Sequence, residues 1–292
     1  MKLLTFQRRT GSQRAGLLLP GNRVIDLAKA LTARLEASPI KADDTVALLD
    51  SLRVASPDLL DIIGDQGEGL AELRALEQSA EQGNMEAIVY PLGDTPLLAP
   101  IPVPPVVGLV APGGPAGAPA WSFAPGTAVL GSAADASIPA GEEHLDVEAR
   151  LAVWVSRPLH GATPTQGEAA ILGYSVAAVL VARDLAATSP AGAMAVGMVM
   201  GPWITTADEV DEPMAALLRL RRNKEIVGEG AASDAIFAPG EMLALISNYT
   251  PLCAGAVLLV GTAATPVARG LVAGDQVEVS AGELGSVRMR IT

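Results

Sequence analysis

The residue types with the most chemical potential are gathered in one short run. His144, Asp146 and Glu148 stand at i, i+2 and i+4. Side chains alternate along a strand, so on a continuous strand these three would share one face. An imidazole beside two carboxylates could ligate a metal such as Zn²⁺ or Fe²⁺. Arg150, however, continues the same face, and Glu142-Glu143-His144 follows Pro139 and Gly141, where the chain still reads as a loop. The competing reading is a solvated strand start in which Arg150 pairs with Glu148, and it is the favoured one.

Other candidates for nucleophilic or acid–base work are thin. Cys253 lies between Leu252 and Ala254 and reads as a core residue. As a single thiol it can form no internal disulfide, which suits a reducing compartment. His160 precedes Gly161 in a turn and reads as a surface residue, with no Ser–His–carboxylate arrangement visible around it. Arg183-Asp184 reads as a structural ion pair or cap at the head of a helix. Met194, Met198 and Met200 read as core.

The bulk properties narrow the function classes. A net charge of -12 repels phosphate backbones, which argues against nucleic-acid binding. The one basic run, Arg219, Arg221, Arg222 and Lys224, alternates with leucines and reads as the solvated side of a half-buried element. Met1 to Gln7 carries no apolar signal core, and Ala191 to Ile204 falls short of the about 18–20 residues a membrane span needs. Neither membrane nor export is expected, and a cytoplasmic location is.

These residues need a scaffold, and its outline is legible. Half of the residues are hydrophobic but only 3% are aromatic, and Gly 30 and Pro 22 provide many turns. Lys2 to Phe6, Ala15 to Leu19 and Arg23 to Leu27 read as a small antiparallel sheet. Helical spacing follows at Leu27 to Leu35, Thr45 to Leu52, Pro57 to Ile63 and Gly69 to Ala80, with Asp44 and Ser56 as N-caps. The proline-rich stretch from Pro91 to Pro105 excludes a helix and reads as an extended connection. Strand-like runs then recur at Leu151 to Val155, Ser175 to Val181, Met242 to Ile246, Val257 to Val260 and Gln276 to Val279. The reading is an α+β chain, mostly β, with a small N-terminal domain over 1–95 and a β domain over 96–292.

Several landmarks fall in a definite order. They are Lys2 to Phe6, Arg23 to Leu27, Val106-Val107-Gly108, Leu145 to Val153, Gly173 to Ala177 leading into Ala182-Arg183-Asp184-Leu185, Gly201-Pro202-Trp203-Ile204, Gly261-Thr262, and Gly274 to Val279. In that order and spacing they resemble the fumarylacetoacetate hydrolase family over nearly the whole chain. The resemblance implies a mixed β-sandwich roll preceded by a smaller α/β domain, assembled as a dimer. It also implies cleavage, decarboxylation, hydration or isomerisation of small 2-oxo and 1,3-dicarbonyl acids. That chemistry uses a divalent ion, normally Mg²⁺, on oxygen ligands, which polarises the oxo-acid and stabilises an enolate.

The family's Glu-x-Glu motif and its later Asp after Asn supply that cage. Here the matching positions are Glu148, Arg150, Ala178 and Val179. The family's His and Glu that activate water should follow Gly108, yet no His or Glu lies between Gly108 and Ser132. Its expected lysine falls on Ala124, and its upstream Lys and Asp fall near Gly192 and Ala195. Gly192 to Met200 would make the pocket apolar. Arg150, Val179 and Thr262 are the positions the resemblance puts against substrate, with Glu148 as the remaining metal ligand. Three expectations follow. The first is a family member without metal-dependent catalysis, either a homodimer or a non-catalytic partner of an active homologue, holding a small organic acid or apolar molecule. The second is an enzyme in which Arg150 fixes a substrate carboxylate. The third is ordinary metal-dependent activity. No cofactor is expected, and Mg²⁺ belongs only with a retained family site.

Overall fold

The computed structural model describes residues 1–37, 56, 58–64, 69–83, 88–111, 119–194, 196–232, 237–263 and 270–292. Three strands open the chain: β1 (Lys2–Gln7), β2 (Gln13–Leu19) and β3 (Arg23–Asp26). Then come helices α1 (Leu27–Ala37), α2 (Leu59–Ile63) and α3 (Gly69–Glu81) and strand β4 (Val89–Pro91). The helical spacing read from Leu27 and Gly69 matches α1 and α3. Thr45 to Leu52 and the expected cap Asp44 lie outside the described residues. The cap of α2 is Asp58, whose Oδ1 accepts the Leu60 N–H at 2.9 Å. Ser56, expected there, accepts the Asp58 N–H at 3.1 Å and donates to Asp61 at 2.7 Å. It thus sits two residues outside the cap.

The rest is mostly strand: β5 (Val107–Ala111), β6 (Ala120–Ala124), β7 (Val129–Leu130), β8 (Ala134–Ala136), β9 (Leu145–Val155), β10 (Ile171–Ala182), β11 (Gly197–Thr206), β12 (Leu217–Arg222), β13 (Glu225–Ala231), β14 (Val257–Ala263), β15 (Gln276–Ser280) and β16 (Ser286–Ile291). Short helices intervene: α4 (Pro164–Ala169), α5 (Arg183–Ala186), α6 (Pro190–Ala193) and α7 (Pro239–Ser247). Met242 to Ile246, read as a strand, belongs to α7. Met-Leu-Ala-Leu-Ile is apolar throughout, so it carries no periodicity to separate strand from helix, although Leu245 is only half-buried. Pro239 in the first turn and the Glu241 carboxylate, which accepts the Ala238 N–H at 3.2 Å, fix it as a helix.

Two sheets form. The larger, 11-stranded, runs β4-β3-β2-β1-β11-β10-β9-β14-β5-β6, with β7 on β11; the smaller runs β13-β12-β15-β16-β8. The strands of the N-terminal segment continue the large sheet, because β1 pairs with β11 through Leu3 and Ile204. One face of β9 and β10, with Val147, Ala149, Leu151, Val176 and Leu180, packs on Leu218, Leu220, Val277, Val279 and Met289 of the small sheet. Their other face, with Trp154, Ala177 and Val179, belongs to a second core that extends under β1 and β2 to Leu59, Leu73 and Leu76 of α2 and α3. Strands covered on both faces read as unbroken apolar runs, which is why β10 looks so hydrophobic in sequence. The architecture is a mostly β, mixed-sheet sandwich, as expected from the resemblance. Among the described residues no helix is long and apolar enough to cross a membrane.

Candidate functional site

β9 contributes Asp146, Glu148 and Arg150 to one face, 6%, 8% and 2% exposed. Such burial of ionised groups is tolerable only if each finds opposite charge and hydrogen bonds. Antiparallel register places Val181, Val179 and Ala177 of β10 directly across from them. Three charged residues on β9 therefore stand against three apolar ones, and their partners must come from elsewhere.

Arg150 finds two kinds. Its Nη2 and Nε donate to Glu148 Oε2 at 2.6 and 3.1 Å, and its Nη1 donates to the carbonyls of Val110 and, at 3.5 Å, Leu259. Those carbonyls are within reach because β14 departs from regular pairing there. Its register on β9 shifts between Val260 and Ala263, and its pairing with β5 runs only to Leu259 opposite Leu109. Gly261 makes the bend at φ +66°, where a side chain would also meet the Ala232 carbonyl at 2.9 Å.

Arg183 supplies the second cation. It opens α5 at the end of β10 and reaches back across β9. Its Nη2 donates to Asp146 Oδ2 at 3.0 Å and Glu148 Oε1 at 3.3 Å, and its Nε to Asp146 at 3.3 Å. Asp146 Oδ1 accepts the Val147 N–H at 2.8 Å. Two carboxylates and two guanidiniums thus form a closed set, with Arg150 deep and the Arg183 side chain 43% exposed.

The segment before β9 is fastened to α5 from the other side. The Glu142 carboxylate accepts the N–H groups of Asp184 and Leu185 at 2.9 and 3.2 Å. Asp184 accepts from the Glu143 and His144 N–H groups at 2.8 and 3.1 Å and meets His144 Nδ1 at 2.8 Å. His144 therefore turns away to the surface and does not join Asp146 and Glu148, because β9 begins only at Leu145. Arg183 and Asp184 serve different partners and do not pair with each other. The Asp184 bond, then its charge, raise the His144 pKa. The Glu143 N–H, then His144, lower that of Asp184. A raised imidazole pKa contributes stability below its ordinary value and loses it as pH rises through the elevated one. A lowered carboxylate pKa contributes above its ordinary value and loses it as pH falls through the depressed one. The urea midpoint of wild type should therefore exceed that of His144→Gln most between these limits and converge with it in alkali. Equal midpoints at every pH would contradict this.

Among the positions singled out in sequence, the structure joins Glu148 to Arg150, as the favoured reading had it, but buries the pair where that reading expected a solvated strand start, because β9 lies inside the large sheet; Val179 stands beside them. Thr262 lies in β14 just past the bend at Gly261. Met198 and Met200 are fully buried core. His160 is exposed, as expected. Cys253 is exposed rather than core, since it sits in the loop before β14 and its apolar neighbours do not bury it. The share of Arg183 and of the two carbonyls had no signal in the local spacing. Among the described residues no group of three His, Cys, Asp or Glu could hold a metal ion. Asp146 and Glu148 give their oxygens to N–H donors, a set that does not fit a hard divalent cation.

The chain belongs to the fumarylacetoacetate hydrolase family: residues 110–292 match the description "Fumarylacetoacetate (FAA) hydrolase C-terminal". Its relatives include an uncharacterized protein of Archaeoglobus fulgidus, 30% identical over 56% of this chain and 65% of that one. Another is an oxaloacetate tautomerase of Bacillus subtilis, 24% identical over 94% of this chain and 95% of that one. The fold is shared with the fumarylacetoacetate hydrolase of Exiguobacterium antarcticum, at a TM-score of 0.76 and 22% identity, covering 100% of this chain and 99% of that one. It is shared as well with the maleylpyruvate hydrolase of Sphingobium sp. SYK-6 in complex with manganese(II) and pyruvate, at a TM-score of 0.75, 22% identity and the same coverage.

Proposed function

We propose that this chain is a family member that does not run divalent-metal chemistry, a pseudoenzyme acting as a homodimer or as the non-catalytic partner of an active homologue. The observation that carries the reading is the bonding of Glu148. Oε2 is held by Arg150 and Oε1 by Arg183. A cation entering this space would have to displace two guanidiniums from a buried carboxylate and approach their charge. Val179 across the ladder offers no oxygen. In this reading Arg150 occupies the room a cation would need.

The same geometry weighs against Arg150 as a substrate anchor. Its bonds to Glu148, Val110 and Leu259 leave one N–H of the guanidinium's five uncommitted, too few for a bidentate grip on a carboxylate. A second reading, an enzyme acting on a small 2-oxo acid, draws on the relatives named oxaloacetate tautomerase and maleylpyruvate hydrolase. The partly exposed Arg183 would then meet the substrate carboxylate. Calorimetric titration with Mn²⁺ and Mg²⁺, alongside assays of oxaloacetate tautomerisation and maleylpyruvate hydrolysis, separates the two. We expect no saturable metal binding and no metal-dependent consumption. Metal-dependent turnover of either acid would refute the first reading, and turnover that survives chelator would establish the second.

A further inference from the structure

We propose that the outer face of the small sheet carries a binding site for a small polyanion, a molecule with two or more carboxylate or phosphate groups. The face is a basin of about 490 Å³ over β12, β15 and β16, lined by Arg221, Lys224, Glu278, Arg288 and Arg290 among others. Register builds it in rows. Arg221 stands across from Glu278, and Glu278 across from Arg288; one step along, Gln276 stands across from Arg290. Side chains two apart on these strands point outward together, while Leu220, Val277, Val279 and Met289 point into the core.

The charge of the basin runs against that of the molecule. The chain carries -12 overall, yet four cationic side chains line this surface against one carboxylate. That carboxylate works as a clamp: Glu278 accepts from Arg221 Nη1 at 3.2 Å and from Arg288 Nε at 2.6 Å. It orders two guanidiniums and leaves most of their N–H groups uncommitted to it. Asp135 stands across from Arg290 on the edge strand β8, outside the basin's lining, and Glu225, beyond the β12–β13 turn, lies outside it too. Ordered, positively charged donors of this kind recognise carboxylate and phosphate oxygens.

The rim carries an independent sign. β12 turns into β13 through Asn223 and Lys224 at φ +52° and +75°. In such a two-residue turn the second position favours glycine. A lysine there sacrifices stability and places a charge at the basin's edge, a pattern found where backbone strain serves a site. The turn is held firmly. Asn223 Nδ2 donates to Asp275 at 2.8 Å, and its Oδ1 accepts the Gln276 N–H at 2.9 Å.

The test is calorimetry on the full chain with citrate and with pyrophosphate, each against sodium chloride at equal ionic strength. Saturable binding of at least one probe is expected, and which one binds distinguishes carboxylate from phosphate ligands. Lys224→Gly and Arg290→Ala should each weaken it about tenfold, the effect of losing one charged donor. The melting temperature of Lys224→Gly without probe should be unchanged or higher, since glycine relieves the turn. Heats no greater than with chloride, or affinity unchanged in both variants, would overturn the proposal. So would a change of sedimentation in Arg290→Ala without any anion, which would make this face a contact between copies of the chain.

Discussion

Arg150→Ala is expected to destabilise the protein by about 3–5 kcal/mol, the range for breaking one side of a buried ion pair. The substitution removes the deepest cation from Glu148 and frees the Val110 and Leu259 carbonyls from their donor. Arg183 remains on Oε1 at 3.3 Å, so the lower end of the range is the one to look for. The paired replacement Glu148→Leu/Arg150→Met should cost much less than the single one, because apolar residues of similar volume replace both charges together. Urea unfolding of the three proteins measures this directly. A midpoint for Arg150→Ala indistinguishable from wild type would mean that the guanidinium contributes nothing to the fold.

Arg150→Glu combined with Val179→Asp should reverse the relation of the site to metal. Position 179 lies directly across the ladder from Glu148, and position 150 lies two residues along the same face. Carboxylates at these places are within about 5–7 Å of one another, close enough to share a cation. Without metal, the two new carboxylates join Glu148 and Asp146 with Arg183 as the remaining guanidinium beside them, and the variant should be much less stable than wild type. With Mn²⁺ at about a hundred times its dissociation constant, the gain would be about 2.7 kcal/mol. The melting temperature of the double variant should climb with Mn²⁺ while that of wild type and of Val179→Asp stays still, since Arg150 remains in place in both. Should the variant fail to fold alone, the yield of refolding with and without Mn²⁺ reads the same quantity. A wild-type melting temperature that rises with Mn²⁺ would sink the idea that Arg150 fills the cation's place.

The Glu148–Arg150 pair was legible in sequence because the rule behind it is local: residues two apart on a strand share a face. The same rule overreached at His144, where the strand had not yet begun and Asp184, forty residues on, claims the imidazole. Arg183 shows the limit from the other direction. Its partners lie thirty-five and thirty-seven residues upstream, and only the antiparallel register of β9 and β10 brings them together. The carbonyls of Val110 and Leu259 are less legible still, since they depend on a bend in β14 and on where β5 stops following it. Met242 to Ile246 failed as a strand because five apolar residues in a row carry no period that separates the two kinds of element. The fold class itself was readable, from turn residues and strand-like runs together with the ordered landmarks.

The pairing of β1 with β11 also sets a clock. Leu3 leaves the ribosome about 200 residues ahead of its ladder partner Ile204. At about 5–20 residues per second, that separation is roughly 10–40 s of synthesis. The β2–β3 and β1–β2 hairpins can close at once, but the open edge of β1 must wait out that interval before β11 arrives to cover it. Until then the nascent chain presents an unpaired strand edge beside the apolar surface of Leu3 and Leu17, and shielding that edge falls to whatever meets the chain during its own synthesis.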